Sequence, residues 1–555
     1  MLLVVCTNTV LRAQAPVFTP THRHGVVASE APLASKVGLA ILKKGGNAVD
    51  AAVATAFALA VTHPTAGNIG GGGFLVVREA NGEAHAFDFR EKAPLAASQD
   101  MFLNERGEYD RDLHHWSILS VGVPGSVAGL YLAHSQLGKL PWRDLVDPAV
   151  RLARDGFAIA PSLAESIKET IEDFRKYPAA LAQFSRGGTL YKSGEQLVQA
   201  DLAATLERIR DRGRDGFYTG ETADLIVAGM RQLGGIITHA DLARYQPTAR
   251  PPIRGTYRGY EVLGMYPPSS GGVAMVEMLN IIEGYDLRSM GPRSAAATHV
   301  MVEAMRRAYA DRARFVGDPD HVEVPIARLT AKEHAKALRT TIAKRRASRS
   351  SPSSFEWPAE SSETTHLSVV DKERMGVALT TTLERPFGCR IVLPGTGFLL
   401  NNEMGDFNPQ PGRTTATGQI GTKANLVAPA KRMLSSMSPT IVVRGGKLRL
   451  VVGSPGGRTI INSVLQVITN VVDFEMTIQE AVDAPRFHHQ WLPDEVVAER
   501  WCFSADSRSA LEEMGHRICN RDGSQGSVMA IEVGDDGALR AGVDRRRGAA
   551  LGAGY

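Results

Sequence analysis

The sequence is poor in cysteine. Cys6, Cys389, Cys502 and Cys519 are the only four among 555 residues, and no two form a Cys-x-x-Cys pair. That excludes a disulfide scaffold and a zinc ribbon. Long hydrophobic runs are also missing. The most apolar stretch, Ala51 to Val61, is about 11 residues, whereas a membrane span needs about 20. Charge of one sign is not in excess, since Lys plus Arg is 63 against 59 for Asp plus Glu, a net +4. Such balance does not provide the concentrated basic surface of a nucleic-acid binder. No repeat with a period of 20–50 residues is present, so the chain is not a solenoid. The apolar fraction of 43% and the charged fraction of 22% exclude wholesale disorder. The length admits three or four domains, or one large α/β unit.

The N-terminus opens MLLVVC, and Ala13-Gln14-Ala15 has the small-x-small form of a signal-peptidase site. The apolar run is short and nothing basic precedes it, so residues 1–24 read as a truncated export signal or a ragged N-terminus. Export would place the protein in the periplasm or outside the cell; the other reading would leave it in the cytoplasm. Residues 30–62 predict two helices separated at Gly45-Gly46, the second apolar nearly all round and therefore buried. Gly70 to Gly73 leads into FLVV, a strand. A phosphate cradle would lead into a helix N-terminus, so this run predicts close backbone packing. Residues 125–320 read mostly as amphipathic helices. Residues 344–363, rich in Ser, Pro and Arg, read as a solvated loop. Beyond it come strand-like runs at 365–370, from Met375, at 438–443 and at 447–452. A turn at 453–457 and a helix follow.

The abrupt change at Thr364 invites a chemical reading. If the backbone is cut before Thr364, the new α-amino group sits beside the hydroxyl-bearing carbon. Its ordinary pKa, about 7.7–8.0, leaves much of it neutral near pH 7–8, able to take the hydroxyl proton. This is the threonine–terminal-amine form of a nucleophile and its base. In the following strand Thr380, Thr382 and Glu384 share one face by the period-two rule. The segment Asn401-Asn402-Glu403-Met404-Gly405-Asp406 adds two acids, Ser435-Ser436 precede a strand, and Gly456-Gly457 offer backbone N–H groups where an oxyanion could be held.

Together these motifs resemble the γ-glutamyltransferase (glutathione hydrolase) family of N-terminal-nucleophile hydrolases. The resemblance spans residues 25–555. It is carried by GGNAVDAAVA at 45–54, THPTAGNIGGGGF at 62–74, DFREKAP at 88–94, GVPGSVAGL at 122–130, PPSSGG at 267–272, TTHLSVVD at 364–371, LLNNEMGDF at 399–407, LSSMSPTIV at 434–442, GSPGG at 453–457 and APRFHHQWLPDE at 484–495. It implies a four-layer αββα fold of the α/β (α+β) class. It also implies a precursor that cuts itself into a large subunit (25–363, after the 1–24 segment, ending in the loop 344–363) and a small one (364–555). Thr364 would be the nucleophile and Thr382 the hydroxyl that supports it. Arg90, Ser435 and Ser436 would hold the substrate α-carboxylate, Glu384, Glu403 and Asp406 its α-amino group, and Gly456 and Gly457 the oxyanion. The implied substrates are glutathione and other γ-glutamyl compounds, with water, amino acids or peptides as acceptors. No cofactor is implied. No metal is read either, because adjacent His488 and His489 on a strand point to opposite faces.

The sequence departs from the family pattern in places. Glu384 and Glu403 stand where many members carry Asn and Gln. Thr417 stands where some place an aromatic lid residue, and Cys389-Arg390 replaces Thr-Gly. Two rivals remain: a glutaryl or cephalosporin acylase on the same scaffold, and an uncleaved homologue that only binds γ-glutamyl compounds.

Overall fold

The structure, a computed structural model, describes residues 19–351, 363–408, 410, 412, 415–416, 421–521 and 523–555. Ala13-Gln14-Ala15, most of the polar loop (352–362) and Thr417 lie outside the described residues.

Gly45-Gly46 separates helix Pro32–Lys43 from helix Ala48–Thr62, as expected. Gly45 has φ +98°, where a side chain would be strained. Asn47 then caps the second helix by a reciprocal exchange with Asp50. Every residue of Ala48–Thr62 is buried, which is what an all-round apolar helix requires.

That helix lies on a seven-stranded antiparallel sheet. From edge to edge the strands are Leu551–Gly554, Val26–Ser29, Glu363–Val370, Gly376–Glu384, Gly72–Arg78, Ala84–Phe89 and Thr248–Arg250. A second seven-stranded antiparallel sheet runs Thr21–His22, Leu539–Val543, Met529–Val533, Lys447–Gly453, Thr440–Arg444, Tyr260–Gly264 and Ile253–Tyr257. The sheets face each other through Val26, Phe74, Val76 and Ala378 on one side and Ile441, Val451 and Ile531 on the other. The alternate residues of the first sheet, Val27, Leu75, Val77, Val369 and Leu379, pack outward against the helices Pro32–Lys43 and Ala48–Thr62. Gly271–Ile282 and Thr459–Val472 contribute to the core that includes the second sheet. Each Val or Leu so buried is worth about 1.5–3 kcal/mol. These are the four layers, αββα.

The first part is helix-rich and the second richer in strand, yet the two large sheets are shared between them. Of the fourteen strands in the two large sheets, the chain before the polar loop supplies seven and the chain from Glu363 onward supplies seven. The early strands are short or embedded among helices, so their period-two signal is diluted. Neither of the two large sheets belongs to one part alone.

Candidate active site

The site is built where the two central strands of the first sheet end. Glu363 pairs with Glu384 and Thr365 with Thr381, so Thr382 and Leu383 together stand opposite Thr364. Such a bulge re-aims the side chains beside it. Thr364 Oγ1 donates to Thr382 Oγ1 across 3.5 Å, a long contact, and both residues are buried. Thr382 Oγ1 also accepts from the Glu384 N–H at 2.9 Å. Glu384 has φ +82°, an uncommon conformation for a residue with a Cβ. Asn402 supports it, donating from Nδ2 to Glu384 Oε2 and accepting from the Arg385 N–H at 3.2 Å.

Thr380, expected on the same face, serves the sheet interior. Ser368 Oγ donates to Met529 O, so it accepts from His366 Nε2–H. His366 Nδ1 is thereby left to accept from Thr380 Oγ1 at 2.8 Å. Burial pushes the His366 imidazole down to about 3, so it is neutral.

The glycine run does what its sequence context suggests. A Cβ at Gly71 would lie 2.1 Å from Thr382 O, and one at Gly73 would lie 2.3 Å from Thr380 O. Only bare backbone fits against the active strand. Asn68, in the same motif, donates from Nδ2 to Thr382 O at 2.9 Å and Thr381 Oγ1 at 3.1 Å.

Arg90 lies fully buried at the centre of an acidic group. It pairs with Glu403 and Asp406, and Glu91 lies 3.5 Å from it. Burial alone would lower its pKa, but Glu403, Asp406 and Glu91 more than offset this and raise it. Burial lifts Glu403 to about 7 against the pull of Arg90. Burial and the neighbouring Glu403 push Glu91 well above the carboxylate range. The sequence reading set Arg90 against the three acids as separate tools for opposite ends of a substrate. The structure instead pairs Arg90 directly with two of them.

Ser435 and Ser436 are held from below by a residue the sequence reading missed. Arg312, on helix Ala295–Phe315, donates to Ser436 Oγ at 2.9 Å and to Ser270 Oγ at 2.8 Å. Ser270 in turn gives both its N–H and its hydroxyl to Ser435 O, each at 2.7 Å. This explains the PPSSGG motif. The available signal for Arg312 was a cation at a position that helical periodicity assigns to the buried face. Gly456 and Gly457, with φ +131° and +55°, form the turn between strand Lys447–Gly453 and helix Thr459–Val472. A Cβ at Gly456 would approach Thr459 Oγ1 to 2.5 Å.

Thr364 is shared by two cavities. The smaller, about 20 Å³, is lined by Arg90, Thr364, Thr382, Glu384, Asp406, Ser435, Ser436 and Gly457, with Met437 and Ile460. That is room for about one water. Eight of the ten expected residues thus meet at one point. The other two, Glu403 and Gly456, are not on the wall; Glu403 is fully buried against Arg90. The larger cavity, about 710 Å³, reaches Thr364 past Glu30, His63, Leu163, Phe387, Arg390 and Arg547.

The Arg390 cation does not reach the small cavity. It pairs with Asp173 and stacks 4.3 Å over the Trp116 ring. His488 Nδ1 accepts from Asn462, and His489 Nε2 donates to Asp494, so the two rings serve separate partners.

The sequence profile of the Gamma-glutamyltranspeptidase family matches residues 34–553. The glutathione hydrolase proenzyme of Escherichia coli K12 is 48% identical over 544 residues, covering 97% of this chain and 93% of that protein. The glutathione hydrolase proenzyme of Pseudomonas aeruginosa is 42% identical and covers 97% and 96%. Among solved structures, the cephalosporin acylase from Bacillus halodurans superposes with a TM-score of 0.87 at 27% identity, covering 100% of this chain and 99% of that one. With an N-terminal-nucleophile fold, a threonine at the junction of the two cavities and a match along nearly its whole length, this chain belongs to the γ-glutamyltranspeptidase family and is an enzyme of the glutathione hydrolase type.

Proposed function

We propose that Thr364 is the nucleophile of both a self-cleavage and a γ-glutamyl transfer. The observation that carries this is the position of Thr364: its hydroxyl faces Thr382 on the wall of a cavity also lined by Arg90, Asp406, Ser435, Ser436 and Gly457. In the precursor, Thr364 Oγ1 attacks the Glu363 carbonyl, and the peptide becomes an ester. That shift breaks the C–N bond and frees the Thr364 amine, and water then hydrolyses the ester to release the Glu363 carboxylate and the Thr364 hydroxyl.

In the processed enzyme that amine accepts the Oγ1 proton as Oγ1 attacks the γ-carbonyl of the donor amide. The oxyanion is held at the N–H groups of Gly456 and Gly457. Collapse expels the amine of the leaving group, which takes the proton, and leaves a γ-glutamyl ester on Thr364. Water releases glutamate; the amine of an amino acid or peptide takes the acyl group instead. Arg90, Ser435 and Ser436 hold the donor α-carboxylate, and Glu384 and Asp406 face its ammonium. Glutathione and related γ-glutamyl amides are the donors. A cavity of about 20 Å³ is too small for a γ-glutamyl group, so the donor site opens after the cut. Export to the periplasm or medium is part of this reading, resting on MLLVVC and Ala13-Gln14-Ala15. No helix among the described residues is long and apolar enough to cross a membrane.

The deciding experiment is Thr364→Ala. Intact mass should show one uncut polypeptide, whereas the wild type should give two chains, the smaller beginning Thr-Thr-His-Leu, and should hydrolyse γ-glutamyl-p-nitroanilide. Efficient cleavage after Glu363 in the alanine variant would sink the proposal.

A further inference from the structure

The chain entering the polar loop is firmly held. His299 Nε2 donates to Ala343 O at 2.8 Å, which leaves its Nδ1 to accept from His516 Nε2, also at 2.8 Å. The Ala347 N–H donates to Met514 O at 2.7 Å. The Ser348 N–H donates to Glu303 Oε1 at 3.0 Å, and the Ser350 N–H donates to Asp494 Oδ2 at 2.9 Å. Arg306 ties these together: it donates to Ser350 Oγ at 2.5 Å, pairs with Asp494 and lies 3.2 Å from Glu303. His489 Nε2 donates to Asp494 Oδ1 at 3.2 Å. Three backbone amides within four residues are thus anchored. The anchors come from helix Ala295–Phe315 and from residues beyond Thr364.

We propose that Asp494, acting with Arg306, is a positioning residue for self-cleavage. It clamps the chain at Ser350, near the start of the loop, while Thr364 is fixed in the central sheet at its end. After the cut, the same clamp keeps the tail of the large subunit seated on the small one. This rests on the self-cleavage proposed above. The physical reason is orientation. Thr364 Oγ1 must meet the Glu363 carbonyl, and holding Ser350 beyond Ala347 and Ser348 shortens the span between anchors and narrows the placements open to that carbonyl. The clamp stays charged at working pH. Burial opposes the charge on Asp494, but its His489 and Arg306 partners outweigh that and hold its carboxyl below the usual carboxylate range. Burial pushes the His489 imidazole down to about 4, so it is neutral and donates through Nε2–H. Glu303 is drawn down to about 2 by Arg306, Ser348 and Arg307 against the effect of burial.

The test is the self-cleavage time course of full-length Asp494→Asn on a denaturing gel. The rate should fall about tenfold. Activity per cleaved molecule toward γ-glutamyl-p-nitroanilide should stay within about twofold of the wild type. Asp494→Glu should recover part of the rate. In processed Asp494→Asn, hydrogen exchange should quicken at the Ser350 amide and not at Ala347. If Asp494→Asn does not fold, Arg306→Lys, which keeps the charge but loses the fork, should show the same slowing. Cleavage at the wild-type rate in a soluble variant whose Ser350 amide has been freed overturns the clamp. A wild type that never cuts itself overturns the self-cleavage reading instead.

Discussion

The two cavities that meet at Thr364 differ in size and in how their charges are arranged. The small one is closed to about 20 Å³, and its charged groups are held: Arg90 by Asp406 on the wall and Glu403 behind, and Glu384 by the Asn402 amide. The large one, about 710 Å³, mixes apolar walls such as Leu163 and Phe387 with scattered Glu30, Arg390 and Arg547. A tight, pre-paired pocket selects by shape and charge, because a wrong group leaves buried partners unmatched. A wide and mixed pocket tolerates many shapes. Under the proposed γ-glutamyl transfer, the difference makes selectivity the property of the acyl side and tolerance that of the side where the leaving amine departs and an acceptor arrives.

The strongest way to break this comparison is to change the donor. A γ-glutamyl group enters as a zwitterion and adds no net charge. A glutaryl group brings a carboxylate alone into a site that already holds more acids than cations. The expected outcome is a kcat/KM for γ-glutamyl-p-nitroanilide at least about 10²-fold above that for glutaryl-p-nitroanilide, and Glu384→Gln should narrow the gap. Equal rates on the two donors would show that the pocket does not select for the ammonium, and the acylase reading would gain.

Arg90→Lys sharpens the same side. Lysine keeps the charge near Glu403 and Asp406 but cannot make the planar two-point contact. The variant should still process, with kcat/KM for the γ-glutamyl donor lowered about 10- to 100-fold. A value near wild type in processed protein would remove Arg90 from donor binding.

The smallest effect belongs to the wide cavity. Ser166→Trp on its wall should leave donor hydrolysis within about twofold while lowering transfer to a dipeptide amine about threefold. Stopped assays that quantify glutamate and transfer product together separate the two. A collapse of donor hydrolysis would mean that the cavities are not independent.

Local features were readable from the residues alone. The break at Gly45-Gly46, the buried helix after it and the strands after Thr364 follow from periodicity and glycine chemistry. The packing role of Gly70 to Gly73 follows from what comes after them. Pairings between distant parts of the chain were not readable. Strand Gly376–Glu384 lies between Glu363–Val370 and Gly72–Arg78, and no local pattern names a partner some 300 residues away. The same holds for the site. Thr364 and Thr382 could be placed near each other because their strands are adjacent in sequence. That Arg90 pairs with Glu403 and Asp406, and that Arg312 grips Ser436, depends on side chains brought together by the fold.

The equal sharing of strands bears on when the proposed cut can be made. Strand Val26–Ser29 lies between Leu551–Gly554 and Glu363–Val370, so the two products of the proposed cut are laced through each other. The sheets must therefore be complete before the chain is severed. Once it is severed, the pieces cannot part without each exposing half of the shared core. Unfolding then turns a single-chain problem into a meeting of two chains, and recovery becomes dependent on concentration. Under the proposed cut, the survival of the fold therefore depends on how slowly it opens.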